Sequence, residues 1–180
     1  MGWTFDHVSG KIDRRAEVDN LLTWTAKSEE RGEIVERVLK SAMRGSTYYG
    51  AIEHTDKNGK FVFAVVVLTE VRNNDYFNFG TKIMDETMGP GQRNCPKTIL
   101  DLLTETDSAF ALEWRKNCRE NLDRPSLAKI PIGAKIRFHA FGQEYTAYKM
   151  APNHQFKTAW FYCDGGYMPK KHIRDFEIID

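Results

Sequence analysis

The run Phe61–Leu68, FVFAVVVL, is eight apolar residues without a break, four of them valine. β-Branched and aromatic residues suit a pleated strand, and a strand apolar on both faces must be covered on both. The run, which extends to Val71, therefore predicts a central strand with layers packed above and below it. It is far too short to cross a bilayer as a helix. Just upstream, Ser46–His54 reads as a strand, and Thr55-Asp56-Lys57-Asn58-Gly59 between the two carries turn chemistry ending in an Asn-Gly pair. An antiparallel pair is expected here, and the rest of the chain has to be arranged around it.

Toward the N-terminus, Trp3, Phe5 and Val8 alternate with small and polar residues and predict a short opening strand, ended by Ser9-Gly10. Asp13 can cap a helix running to about Thr25, with Val18, Leu21 and Leu22 facing inward. A polar segment, Lys27–Gly32, follows. The next element has two readings: Ile34, Val35, Val38, Leu39 and Ala42 fit helical spacing, while the stretch also leads directly into a strand. Downstream of the central strand, Pro96 at a first turn with Ile99, Leu100, Leu102 and Leu103 predicts a short helix. Thr106-Asp107-Ser108 can cap another, with Phe110, Ala111, Trp114 and Cys118 inside and Arg115, Lys116, Arg119 and Glu120 facing water.

Pro125 punctuates that helix, and beyond it the period changes to two. Ile136 and Phe138 alternate with Lys135, Arg137 and His139. Tyr145–Met150, Ala159–Cys163 and Phe176–Ile179 are further short strands, with a 3₁₀ turn predicted over Lys171–Arg174 after Pro169. Short strands at this spacing suggest a small barrel of SH3-like pattern. The expected architecture is α+β: residues 1–124 form a small antiparallel sheet with packed helices, and residues 128–180 an SH3-like β-barrel. Asp123-Arg124-Pro125-Ser126 links the two.

The formal net charge of +1 implies no field of one sign over the whole surface. Its distribution is uneven, since residues 128–180 hold eight Lys/Arg against five Asp/Glu. Cys95, Cys118 and Cys163 are widely spread with no C-x-x-C pair, which argues against a disulfide framework or a cysteine zinc site and for reduced, cytoplasmic thiols. The N-terminal MGWTFDHVSGKIDRR lacks the apolar core of a signal peptide, and no membrane association is expected.

Asn73–Pro90, NNDYFNFGTKIMDETMGP, reads as one long connection, and loops of this length are often functional. Tyr76, Phe77 and Phe79 among Asn73, Asn74 and Asn78 can make an exposed aromatic and amide surface for a protein or a single strand of nucleic acid. The competing reading is that Phe77 and Phe79 tuck the loop onto the core. Asp75, Asp85 and Glu86 supply surface charge or cap turns; their spacing matches no metal loop, and no metal or cofactor is expected. Gly80, Gly89 and Gly91 are read as turn positions. Cys95, before Pro96 at a helix start, could act as a nucleophile, although a packed thiol is the simpler reading. In the C-terminal segment, Lys135, Arg137, Lys170 and Lys171 interleave with Tyr148 and Trp160, which suits nucleic acid or peptide. The competing reading there is an ordinary barrel solubilised by its lysines.

Across Met1 to about Leu122, several strings carry a likeness: Met1-Gly2-Trp3-Thr4, Asn78-Phe79-Gly80, Met84-Asp85-Glu86-Thr87-Met88-Gly89-Pro90, Cys95-Pro96, Ile99–Leu103, Trp114-Arg115 and Cys118-Arg119. On these residues the chain resembles a family of small uncharacterised proteins of bacteria, their phages and mobile elements, a domain of unknown function. The resemblance implies a strand over about Val35–Met43 and no established activity. The expected function is a non-enzymatic accessory protein that binds a host or defence protein or nucleic acid through Asp75, Tyr76, Asn78, Phe79, Asp85 and Glu86 and through the barrel. The rival is a small hydrolase or transferase with its site in the loop from Asn73 to Cys95.

Overall fold

The structure is a computed structural model that describes residues 2–123, 126–173 and 176–179. It is a sheet-rich mixed fold of two compact units, Met1–Asp123 and Arg124–Asp180, each with its own antiparallel sheet. The helix stop assigned to Pro125, the linker residue Arg124 and the 3₁₀ residue Arg174 lie outside the described residues.

In the first unit the strands are β1 (Thr4–Asp6), β2 (Trp24–Ser28), β3 (Gly32–Arg44), β4 (Thr47–Asp56), β5 (Gly59–Val71) and β6 (Phe79–Asp85), in the order β1-β6-β5-β4-β3-β2. β5 is central, as its composition requires. The sheet is considerably larger than the small one expected: β2 forms where a helix end and a polar segment were expected, and two further stretches, one left open between helix and strand by its spacing though the resemblance implied a strand, and one read as a connection, are strands.

One is β3. Its pairing with β4 shifts between Val38 and Lys40, a bulge at Leu39. Before the bulge the even positions Glu36 and Val38 share a face with His54 and Ile52; after it the odd positions Ser41 and Met43 take that face, opposite Gly50 and Tyr48. The apolar residues therefore come from both faces, Ile34 and Val38 from one and Val35 and Ala42 from the other, with the bulged Leu39 between them, and together they fall at helical spacing.

The other is β6, which lies within the supposed connection and pairs with β5 from Val71↔Phe79 to Val65↔Asp85 and with β1 at Phe5↔Gly80. Gly80 is thus a strand residue rather than a turn residue. A Cβ there would collide with the Phe5 ring, which lies across it.

Helices cover both faces of the sheet. α1 (Arg14–Leu21), capped by the Asp13 carboxylate on Arg15 N and Ala16 N, buries Val18 on a cluster of Leu22, Tyr48, Ile52, Val65, Val67 and Phe79. It ends sooner than expected, leaving Leu21 half-exposed and the chain free to form β2. α2 (Lys97–Leu100) and α3 (Ala109–Asp123) cover the opposite face, where Ile99, Leu100, Trp114 and Cys118 meet Tyr49, Ala51, Ala64 and Val66. Two assignments on α3 reverse: Phe110 faces water and Arg115 is buried.

The second unit contains β7 (Lys135–Ala140), β8 (Gln143–Met150), β9 (Trp160–Cys163), β10 (Gly166–Met168) and β11 (Phe176–Ile179), in the order β10-β9-β8-β7-β11. A 3₁₀ turn, Lys170–His172, precedes β11. Ile136, Phe138, Ala147, Phe161 and Cys163 form its core. Lys149 is buried there, and among the described residues no carboxylate pairs with it. Its ammonium donates to the carbonyls of Leu127, Ala128 and Ile130 at 3.0, 2.9 and 2.5 Å, which ties the incoming chain to β8.

Candidate functional site

The residues expected to act together in the Asn73–Pro90 stretch are divided between the two ends of β6, whose seven residues rise roughly 20 Å. At one end is the β5–β6 loop. Asn74 accepts from the Tyr76 and Phe77 amides and folds the tip, leaving Tyr76 79 % exposed and Phe77 and Asp75 in solvent. Asn78 is a clamp: its side chain accepts from Val8 N and donates to Val8 O, both at 2.8 Å, holding the chain beyond β1 to the start of β6. Phe79 is buried in the α1 core, so the exposed aromatic surface is reduced to Tyr76 and Phe77.

At the other end, Asp85 caps a 3₁₀ turn, Glu86–Met88, by accepting from Thr87 N at 2.8 Å and from the Thr87 hydroxyl. Glu86 is not a surface charge. It is 2 % exposed, and its carboxylate takes two 2.6 Å bonds from the Arg115 guanidinium and a third from Ala64 N. Arg115 also donates to Thr104 O at 2.6 Å. The geometry follows from the sheet: β6 stops opposite Val65, so the edge of β5 beyond it needs other partners. Glu86 supplies one at Ala64, and Thr104 supplies others at both polar groups of Val62.

Beside this edge lies a cleft of about 370 Å³ that the sequence did not reveal. Phe61 and Phe63 form its aromatic wall, Glu36, Asp85 and Glu105 bring carboxylates to it, and the Glu86–Arg115 pair closes it. His54 stands behind Phe61, ring centroids 4.8 Å apart, with Nδ1 at 3.1 Å from Glu36 and Nε2 at 3.7 Å from Asp56. The Asp56 carboxylate is held below its usual range, chiefly by the Asn58 amide and further by His54. Asp75 lies away from this cleft, in the hollow by His7 and Arg72. Cys95 is fully buried, and burial pushes its thiol well up, so the sulfur is a core atom and not an activated nucleophile. Among the described residues no group of three or more His, Cys, Asp and Glu is placed to hold a metal ion.

The second unit gathers its candidates on the outer face of its sheet. Lys135 pairs across strands with Tyr148, Tyr148 with Tyr162, and Tyr162 with Tyr167, one continuous row over four strands. The three tyrosines are 41, 41 and 51 % exposed, and the Lys135 ammonium sits 5.8 Å from the Tyr148 ring centroid. Phe156 extends the row, stacked on Trp160 at 4.7 Å and on Tyr167 at 4.9 Å. Arg137 belongs to the same face but is occupied by Glu177 at 3.1 Å and Glu144 at 3.9 Å. Lys170 and Lys171 stand exposed on the 3₁₀ turn. Tyr167 was not singled out from the sequence. Its signal lay in cross-strand register, which alternation within one short strand does not show.

Residues 105–141 match a family described as a domain of unknown function (DUF6927). The stretch contains α3 and β7, so it begins near the end of the span on which the sequence likeness rested and continues into the second unit. It supports an uncharacterised domain. No curated protein and no solved structure matches the chain. No helix of the described residues is long and apolar enough to cross a membrane.

Proposed function

We propose that this protein is a non-enzymatic accessory protein that binds single-stranded nucleic acid through the outer face of its C-terminal sheet, in the setting of a phage or mobile element that the sequence likeness implies. The observation that carries the reading is the row Lys135–Tyr148–Tyr162–Tyr167, extended by Phe156 and Trp160. Exposed rings in register offer successive stacking platforms that tolerate any base, and flanking lysines meet the phosphates. The strand order, with β11 returning to β7 after a 3₁₀ turn, supports an SH3-like barrel as the scaffold.

The test is anisotropy of a labelled fifteen-nucleotide oligo-dT and its RNA counterpart with the intact protein. Salt-dependent binding is expected, weakened in Y148A/Y162A by about tenfold or more, since each stacked base contributes about 1–3 kcal/mol. Absence of binding at low salt would overturn the nucleic-acid reading. A host protein captured by the wild type and lost with the same variant would move the function to the protein partner.

A further inference from the structure

The cleft beside β5 lies within the first unit and takes no part in the reading above. Its walls combine two features that meet in sites for organic cations. Phe61 is 48 % exposed; one face of its ring is stacked on His54, and Phe63 lies at 5.8 Å between centroids. Around these rings the lining contributes the carboxylates of Glu105, of Asp85, which also caps Thr87, and of Glu36, which also meets the His54 ring. Among the described residues lining the cleft, Arg115 is the single Lys or Arg, and its guanidinium is consumed by Glu86 and Thr104 O. The cleft thus presents aromatic surface and negative charge with no free guanidinium or ammonium of its own.

We infer that this cleft binds a guanidinium on an aliphatic stem. The planar cation would lie against the Phe61 and Phe63 rings while its N–H groups reach the carboxylates, and the stem would lie along the apolar part of the wall. A guanidinium is preferred to an ammonium because it is planar, stacks on aromatic faces and presents several donors in one plane. A volume of about 370 Å³ holds one such group and its stem. An anion is disfavoured at three carboxylates. The same chemistry comes from a free alkylguanidine or from an arginine side chain on a polypeptide.

Isothermal titration of the intact protein with butylguanidine against its neutral isostere butylurea, and with acetyl-Gly-Arg-Gly-amide against its citrulline counterpart, tests the inference. The cations are expected to bind at least about tenfold more tightly than the neutral compounds. Phe61→Leu and Glu105→Gln are each expected to weaken them about fivefold or more, with unchanged circular dichroism and thermal midpoint, since both positions are exposed. Tighter binding of the peptide assigns the source to a polypeptide; tighter binding of butylguanidine assigns it to a small metabolite. No binding up to on the order of 10 mM, equal binding of the neutral isosteres, or variants that bind as the wild type does would overturn the inference. Nucleic-acid binding by the second unit is read separately, so either result can fail alone.

Discussion

Glu86 and Arg115 are each other's reason for being buried. Desolvating a carboxylate and a guanidinium costs several kcal/mol apiece, and the pair persists because two short charge-assisted bonds and contacts to Ala64 and Thr104 satisfy both. Removing one partner strands the other. Glu86→Ala is expected to cost about 3–5 kcal/mol in denaturant unfolding, whereas Asp85→Ala, which removes a partly exposed cap, costs about 1 kcal/mol. Similar losses in the two variants would mean that the pair is not buried as described.

Nearby burial also sets an alkaline limit. Burial pushes the Cys118 thiol up to about 11 and the Tyr49 phenol up to about 12, and it raises Cys95 and Tyr48 further. In the unfolded chain these groups ionise first, so as pH rises the unfolded state loses protons that the folded state keeps. The stabilisation is complete below about pH 9, where unfolded thiols are still protonated, and is lost progressively through pH 11 to 12. Urea midpoints measured from pH 7 to 11 should fall above pH 9, and less steeply in C118A.

At the scale of elements, the β7–β8 hairpin turns through Phe141-Gly142, both with positive φ, 52° and 77°. Such a two-residue turn favours Asn-Gly, and a bulky L-residue in this region costs about 1–2 kcal/mol. Phe141 recovers part of that by packing on His172 at 4.7 Å and edge-on to Tyr145 at 6.4 Å. Phe141→Asn is expected to stabilise the second unit by about 0.5–1 kcal/mol in thermal unfolding; a lower midpoint would show that the ring contacts outweigh the backbone strain. Legibility at this scale depended on whether an element broke its own rule. β5 and α1 announced themselves by apolar run and cap, and β7 and β8 by alternation. β3 concealed itself behind the Leu39 bulge. β6 was missed because Gly80 and Lys82 interrupt its apolar positions: Gly80 makes room for Phe5, and Lys82 lies opposite Leu68.

At the scale of the molecule, each unit has its own core, and the clusters behind α1, behind α2 and α3, and within the second sheet share no residue. A chain ending at Asp123 is therefore expected to unfold cooperatively, with near-native midpoint and circular dichroism. Broad, non-cooperative melting of that fragment would show that the first unit needs the rest of the chain. Composition and period determined the central strand, the capped helices and the change to short strands after residue 125, because burial pattern and capping are properties of neighbouring residues. The candidate sites depended on residues distant in sequence. The tyrosine row exists only once β8, β9 and β10 adopt one register. The cleft exists only because β6 ends one residue before Glu86, which brings Glu36, Phe61 and Glu105 around an edge that Glu86 and Thr104 close. Pairing register is set by the packing of both faces at once, and no single strand carries that information.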